Sequence, residues 1–223
     1  MLEKWKAGLV VSCQALEDEP LHGPHFMERM ARAAQEGGAV GIRANGFHDI
    51  QAIRASIDLP IIGINKRKIT GFDAFITPAK EDARLVQEAG ADIIAIDATT
   101  QSRPESLEEL IHYIKGELGK VVMADVSTVA DGIRAQQLGC DLVGTTLAGY
   151  TQATMQKKSK DPDFDLLRGL VDQLHIPVIA EGRIHTPEQA RKALQLGAFC
   201  VVVGGAITRP QEITRRFLEG MKE

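Results

Sequence analysis

Four times in this chain a helix-like stretch ends in glycine and gives way to a short apolar run: Gly37-Gly38-Ala39-Val40-Gly41-Ile42, Gly90-Ala91-Asp92-Ile93-Ile94-Ala95-Ile96, Gly139-Cys140-Asp141-Leu142-Val143 and Gly197-Ala198-Phe199-Cys200-Val201-Val202-Val203. Glycine suits the left-handed position that closes a helix, and an unbroken apolar run suits a strand buried on both faces. Three more runs alternate with these, Leu59-Pro60-Ile61-Ile62-Gly63-Ile64, Gly119-Lys120-Val121-Val122-Met123-Ala124 and Ile176-Pro177-Val178-Ile179-Ala180, and Leu9-Val10-Val11-Ser12 opens the series. Strands that alternate with helices imply a parallel sheet. Shared among eight units, the 223 residues allow roughly 28 each, which is enough for a short strand, a helix and two tight loops. The expectation is a single-domain (β/α)8 barrel of the TIM type over residues 1–223. An open dinucleotide-binding sheet would carry GxGxxG after its first strand, and here that strand runs into Ser12-Cys13-Gln14-Ala15-Leu16.

Helix starts are written between the strands. Thr77-Pro78, Ser106 with Glu109, and Thr186-Pro187 with Gln189 match N-cap, first-turn proline and capping-box chemistry. Leu107, Leu110, Ile111 and Ile114 then keep a helical period. The stretch from Tyr150 to Pro162 is polar and reads as a mobile loop. No composition shift marks a domain boundary.

Composition removes function classes. A charged fraction of 25% beside 44% hydrophobic residues is ordinary for a globular domain, and a formal charge of -4 offers no basic field for a nucleic-acid backbone. No apolar run is long enough to span a bilayer, and Met1 to Lys6 lacks the apolar core of a signal peptide, so a cytoplasmic protein without membrane or nucleic-acid partners is expected. Cys13, Cys140 and Cys200 form neither an even disulfide set nor a CxxC pair, and the last two begin apolar runs where buried thiols are expected. His22 and His25 lack a third and fourth ligand, so no metal site is expected.

In a parallel barrel the strand C-termini share one mouth, and the residues just after each apolar run converge there. Those positions are Gln14, Arg43 with Asn45, Lys66 with Arg67, Asp97, Asp125, Thr145 with Thr146, Glu181 with Arg183, and Gly204 with Gly205. The last two units point to a phosphate subsite. Gly182 and Arg183 follow the seventh strand, while Gly204, Gly205 and Arg209 follow the eighth and lead into a helical segment, combining close backbone approach, free amide donors and a guanidinium. Lys66 and Glu181 end strands three and seven, across the barrel from one another. A desolvated lysine is pushed toward neutrality and a desolvated carboxyl toward protonation, which suits the pair for proton exchange. An ion pair across the mouth is the competing reading.

At these residues the chain resembles the N-acylglucosamine-6-phosphate 2-epimerase family, also called N-acetylmannosamine-6-phosphate 2-epimerases. The likeness runs through Ser12-Cys13-Gln14-Ala15-Leu16, Gly41-Ile42-Arg43-Ala44, Pro60-Ile61-Ile62-Gly63-Ile64, Ile96-Asp97-Ala98-Thr99, Met123-Ala124-Asp125-Val126-Ser127-Thr128, Thr145-Thr146-Leu147-Ala148-Gly149-Tyr150-Thr151, Glu181-Gly182-Arg183-Ile184 and Gly204-Gly205-Ala206-Ile207-Thr208-Arg209-Pro210. The resemblance implies a TIM barrel that interconverts N-acetyl-D-mannosamine 6-phosphate and N-acetyl-D-glucosamine 6-phosphate in sialic acid and amino sugar catabolism. It implies Lys66 and Glu181 as the catalytic pair, with Gln14, Arg43, Asp125 and Arg209 among the polar residues that hold the phosphorylated amino sugar. It also implies a homodimer without metal or nucleotide cofactor. Gln152 to Pro162 is the least family-like stretch. A Schiff-base aldolase through Lys66, or a phosphosugar sensor, are the alternatives that an assay would separate. The final segment, with Ile213, Phe217, Leu218 and Met221, either seals the barrel or exchanges with a partner subunit.

Overall fold

The structure, a computed structural model, describes residues 2–157 and 159–222; Lys158, within the polar loop, lies outside the described residues. Eight strands, β1 (Leu9–Cys13), β2 (Gly41–Asn45), β3 (Ile61–Ile64), β4 (Ile93–Asp97), β5 (Val121–Asp125), β6 (Leu142–Gly144), β7 (Val178–Glu181) and β8 (Cys200–Val203), pair in chain order. All pairs are parallel, and β1 closes on β8 with Val10 opposite Val202, so the sheet has no free edge. Between and after them run α1 (Pro24–Glu36), α2 (Phe47–Arg54), α3 (Lys80–Glu88), α4 (Leu107–His112), α5 (Val129–Gln137), α6 (Phe164–Gln173), α7 (Pro187–Gln195), α8 (Gly205–Thr208) and α9 (Pro210–Gly220).

Because side chains alternate across a strand, each apolar run supplies two cores at once. One set, including Val10, Ile62, Ile64, Ile93, Ala95, Met123, Leu142, Ile179, Cys200 and Val202, fills the barrel. The other, including Val11, Ile42, Ala44, Ile61, Ile94, Ile96, Val122, Ala124, Val143, Ala180 and Val201, packs against the helices. Trp5 of an N-terminal 3-10 turn (Leu2–Trp5) is fully buried and plugs the bottom, where any side chain at Gly41 would strike its indole. Following the inward parity up to the C-terminal ends gives Ser12, Arg43, Asp97, Asp125 and Glu181. Pleating therefore converts the barrel interior from apolar at the floor to charged at the mouth.

The helix starts at Ser106 and Thr186 form with complete capping boxes, and Thr128 with Asp131 forms a third, not anticipated from the sequence. Gly38, Gly90, Gly139 and Gly197 take positive φ after their helices, as the repeat requires. Four expectations shift. β2 begins at Gly41, two residues beyond the start of its apolar run. The helix through Ile114 widens into a π turn over Tyr113–Glu117. Thr77 is no N-cap: α3 starts after Ala79, and the buried Thr77 sits at φ +45°. The loop beyond Tyr150 is anchored: Thr151 and Thr154 are buried, and the Thr151 hydroxyl donates to Ser127 Oγ at 3.1 Å.

Candidate active site

A cavity of about 310 Å³ opens at the C-terminal mouth, lined by Ser12, Gln14, Lys66, Thr146, Glu181, Gly182, Arg183, Gly204, Gly205 and Arg209, together with Tyr150, His185, Thr208 and Glu212. That volume suits one monosaccharide phosphate. Eight of the eleven residues expected at the site therefore surround one space. The other three, Arg43, Asp125 and Thr145, lie beneath or behind it.

Arg43 is only 1% exposed. Its Nη1 and Nη2 donate to Asp125 Oδ1 and Oδ2 at 3.0 and 2.5 Å, and Nη1 also donates to Glu181 Oε2 at 2.9 Å. A buried guanidinium is tolerated where its charge is met in this way. The Thr146 hydroxyl faces the same two carboxylates, at 2.6 Å from Asp125 Oδ1 and 3.2 Å from Glu181 Oε2. Thr145, the expected neighbour, spends its hydroxyl on the backbone: it donates to the carbonyl of Glu181 at 2.7 Å and accepts from its N–H at 3.0 Å. One threonine thus fixes the Glu181 backbone and the next its carboxylate. Burial raises Glu181 to about 7, against the pull of Arg43 and with a push from Asp125.

Lys66 Nζ donates to Gln14 Oε1 at 2.7 Å, and Gln14 Nε2 donates to Ser12 Oγ at 2.8 Å. Lys66 is exposed toward the open cavity, yet surrounding protein withdraws it from bulk water enough to lower its pKa to about 8, with Arg43 adding to the fall. Among the described residues no ion pair joins Lys66 to Glu181, so the competing reading of a bridge across the mouth does not describe this arrangement. Their pKa values are displaced toward each other from opposite sides, by loss of water in both cases.

On the other side of the cavity, Gly204 and Gly205 bring bare backbone to the wall, and the Arg209 guanidinium lies beside them. Arg209 Nε is 2.7 Å from Glu19 Oε1, and Nη1 is 3.7 Å from Glu212 Oε1. Any side chain at Gly205 would collide with the Glu212 carboxylate. Arg183 lines the cavity but is tied to a neighbouring loop. Its Nη1 donates to the carbonyl of Ala148 at 2.6 Å and its Nε to that of Asp161 at 3.0 Å, so it pins the loop after β6. Gly182 and Arg183 take φ +104° and +57°, which turns the chain away directly after Glu181.

Asp97 has the inward parity, but its carboxylate accepts from Thr99, Gln101 and Arg103 and does not line the cavity. All three cysteines are buried, and burial pushes each to about 12, inert as thiols at neutral pH. His22 Nδ1 lies 3.3 Å from the carbonyl of Ala15, and among the described residues no three His, Cys, Asp or Glu side chains gather as a metal site. Ser12 and Glu212 were not singled out from the sequence, and Thr146 was placed at the mouth beside Thr145 without a role of its own. Strand parity could have found Ser12; Glu212 carried no signal beyond its spacing of three residues from Arg209 on one helix face.

Comparison with known proteins places this chain. A family model described as "Putative N-acetylmannosamine-6-phosphate epimerase" matches residues 27–223. A relative from Caldanaerobacter subterraneus subsp. tengcongensis with the name "Putative N-acetylmannosamine-6-phosphate 2-epimerase" is 51% identical over 226 residues, covering 100% of this chain and 94% of its own. A relative of the same name from Listeria monocytogenes serotype 4b is also 51% identical over 226 residues, covering 100% of this chain and 98% of its own. The solved structure of the N-acetylmannosamine-6-phosphate 2-epimerase from Clostridium perfringens superposes with a TM-score of 0.95 at 49% identity, over 98% of this chain and 95% of that one.

Proposed function

We infer the reaction from one premise: this chain belongs to the N-acetylmannosamine-6-phosphate epimerase family. It is an epimerase that interconverts N-acetyl-D-mannosamine 6-phosphate and N-acetyl-D-glucosamine 6-phosphate by inversion at C2. The C2–H bond of such a sugar is acidic only beside a carbonyl, so the reacting form is the open chain with its C1 aldehyde. Neutral Lys66 removes the C2 proton on one face, and the bond electrons shift into the carbonyl to make an enolate. Protonated Glu181 then delivers a proton to C2 from the other face, and the roles reverse in the return direction. The observation that carries this reading is that Lys66, two residues beyond β3, and Glu181, at the end of β7, line one cavity without pairing to each other. Arg43 and Thr146 hold the Glu181 carboxylate in place, Asp125 holds those two, and Thr145 holds the Glu181 backbone, while Gln14 holds the Lys66 amine.

Gly182, Gly204, Gly205 and Arg209 receive the 6-phosphate, which displaces Glu19 and Glu212 as the anion beside Arg209. The assay is epimerisation of N-acetyl-D-mannosamine 6-phosphate in heavy water. Deuterium is expected at C2 of the product, and separate Lys66→Ala and Glu181→Ala variants are expected to abolish turnover. Product without solvent deuterium would overturn the proton-exchange reading.

The working particle is a homodimer in which α9 leaves its own barrel. Phe217 and Leu218 on α9 and Met221 just after it are 72%, 53% and 79% exposed, and the helix buries none of its residues. Beside it an apolar groove of about 520 Å³, lined by Leu9, Ala190, Leu194, Val201, Val203 and Ile207, lies over β8 and β1 where the last helix of a barrel would pack. A second copy's α9 fits that groove. Light scattering after size exclusion should give a dimer, and Phe217→Asp a monomer; a monomeric parent chain would refute the exchange. Among the described residues no helix is long and apolar enough to cross a membrane. A phosphomonoester does not cross bilayers, so the enzyme works where the sugar phosphate is made, in the cytoplasm, in amino sugar catabolism.

A further inference from the structure

Lys66 follows β3 by two residues, in a stretch where a loop would ordinarily leave a lysine free to sweep the mouth. Here the chain is held on both sides. Its N–H donates to Asn45 Oδ1 at 2.8 Å, and a short antiparallel bridge pairs Lys66 with Ile76. The Arg67 N–H donates to the carbonyl of Phe75 at 2.9 Å, and the Thr77 N–H donates to that of Asn65 at 2.8 Å. Thr77 Oγ1 accepts from the Asn65 N–H at 3.1 Å. A β-branched residue at φ +45° is strained, and Thr77 keeps that conformation because both its N–H and its hydroxyl are engaged with Asn65.

The side chains flanking Lys66 converge on one carboxylate. Asp82, in the first turn of α3, is 1% exposed. Its Oδ1 accepts from Asn65 Nδ2 at 2.7 Å and from Arg67 Nε at 2.7 Å, and its Oδ2 accepts from Arg67 Nη2 at 2.8 Å. In extended chain, residues on either side of a given position point away from it. Fastening Asn65 and Arg67 to a buried group on the helix side therefore directs Lys66 to the cavity side. We propose that Asp82, which does not line the cavity, is a positioning residue that aims the Lys66 amine at the substrate. A purely local role in steadying the N-terminus of α3 would leave Lys66 indifferent to its removal.

This rests on the reading of Lys66 as the base, and the test separates the two. Asp82→Ala, Asp82→Asn and Arg67→Met variants would be compared with the parent enzyme in steady-state kinetics and in trace acetic anhydride labelling of Lys66, read by mass spectrometry across pH. Released from its tethers, the amine sits farther into water and away from Arg43, Arg209, Glu181 and Asp125, the charged groups that face it. Asp82→Ala is expected to lower kcat by about a hundredfold with little change in KM, as a misplacement of about 1 Å does. The pH midpoint of Lys66 labelling should rise toward that of free lysine. Asp82→Asn, which keeps an acceptor for Asn65, should fall between. Arg67 is 41% exposed, so Arg67→Met keeps the fold should Asp82→Ala not, and should move the same midpoint in the same direction. Unchanged kcat and labelling midpoint in a folded Asp82→Ala variant, or in Arg67→Met where that is the only folded variant, would overturn the proposal. Full turnover by Lys66→Ala would instead sink the reading of Lys66 as base, with the labelling midpoint still deciding whether Asp82 aims the amine.

Discussion

Replacing Glu181 with glutamine keeps the shape and the acceptor for Arg43 and Thr146 but removes the proton that the carboxyl would deliver. Buried Arg43 stays neutralised by Asp125, so the fold should tolerate the change. In the parent enzyme, pKa values of about 8 for Lys66 and about 7 for Glu181 make the working species the pair with one shared proton. The rate should peak near pH 7.5 and fall about twentyfold by pH 5.5 and again by pH 9.5, close to tenfold per unit on the outer limbs. Within the singly protonated pair, the arrangement with neutral Lys66 and protonated Glu181 is the minor one, because Lys66 keeps its proton to higher pH than Glu181. Glu181→Gln should lower the inversion rate by about 10²–10⁴, or about 3–5 kcal/mol of barrier. The limb near pH 7 should vanish. The remaining limb should fall below about 8, because Glu181 raises Lys66 and its charge is gone. Proton NMR in heavy water then gives a sharper sign: Lys66 should still exchange the C2 proton on its own face, so deuterium enters recovered N-acetyl-D-mannosamine 6-phosphate while inversion lags. Inversion by Glu181→Gln within tenfold of the parent would refute the division of labour between the two faces.

Three further outcomes follow from the same geometry. Arg209→Met should raise KM for the phosphorylated sugar by one to two orders of magnitude, about 1.5–3 kcal/mol for a charged hydrogen bond, whereas Glu212→Gln, by removing a competing anion, should lower KM in the same steady-state assay. Arg43→Met leaves Asp125 and Glu181 buried without their cation, and denaturant unfolding should show a loss of about 3–5 kcal/mol. The thiols titrate near 9 unfolded but near 12 folded, so their contribution is intact below about pH 9 and drains away as pH rises through 12. Unfolding curves should weaken over that interval, and Ellman's reagent should find no fast thiol in the native protein at neutral pH.

Much of the architecture was legible because its causes are local. A glycine that ends a helix, a run apolar on both faces, and a capping box such as Ser106 with Glu109 act within a few residues, and each formed where the spacing put it. Thr77 shows the limit. Its Thr-Pro dipeptide has the chemistry of a helix start, but Asn65, twelve residues earlier, takes both the hydroxyl and the N–H. A tertiary partner outbid a local one. The same holds for Thr145 and Arg183, whose polar groups went to the Glu181 backbone and to the loop carbonyls of Ala148 and Asp161.

By itself, the order of residues determined eight strand and helix units, the parity that turns alternate side chains inward, and hence which residues reach the mouth. Only closure of the barrel decided what those residues do to one another. Arg43 meets Asp125 and Glu181 across 82 and 138 positions of sequence, and Asp82 gathers the neighbours of Lys66 from outside the cavity. Period and propensity are properties of neighbours in the chain, so they can be read along it. Desolvation and charge pairing depend on distance through space, and a parallel barrel sets those distances only when β8 meets β1.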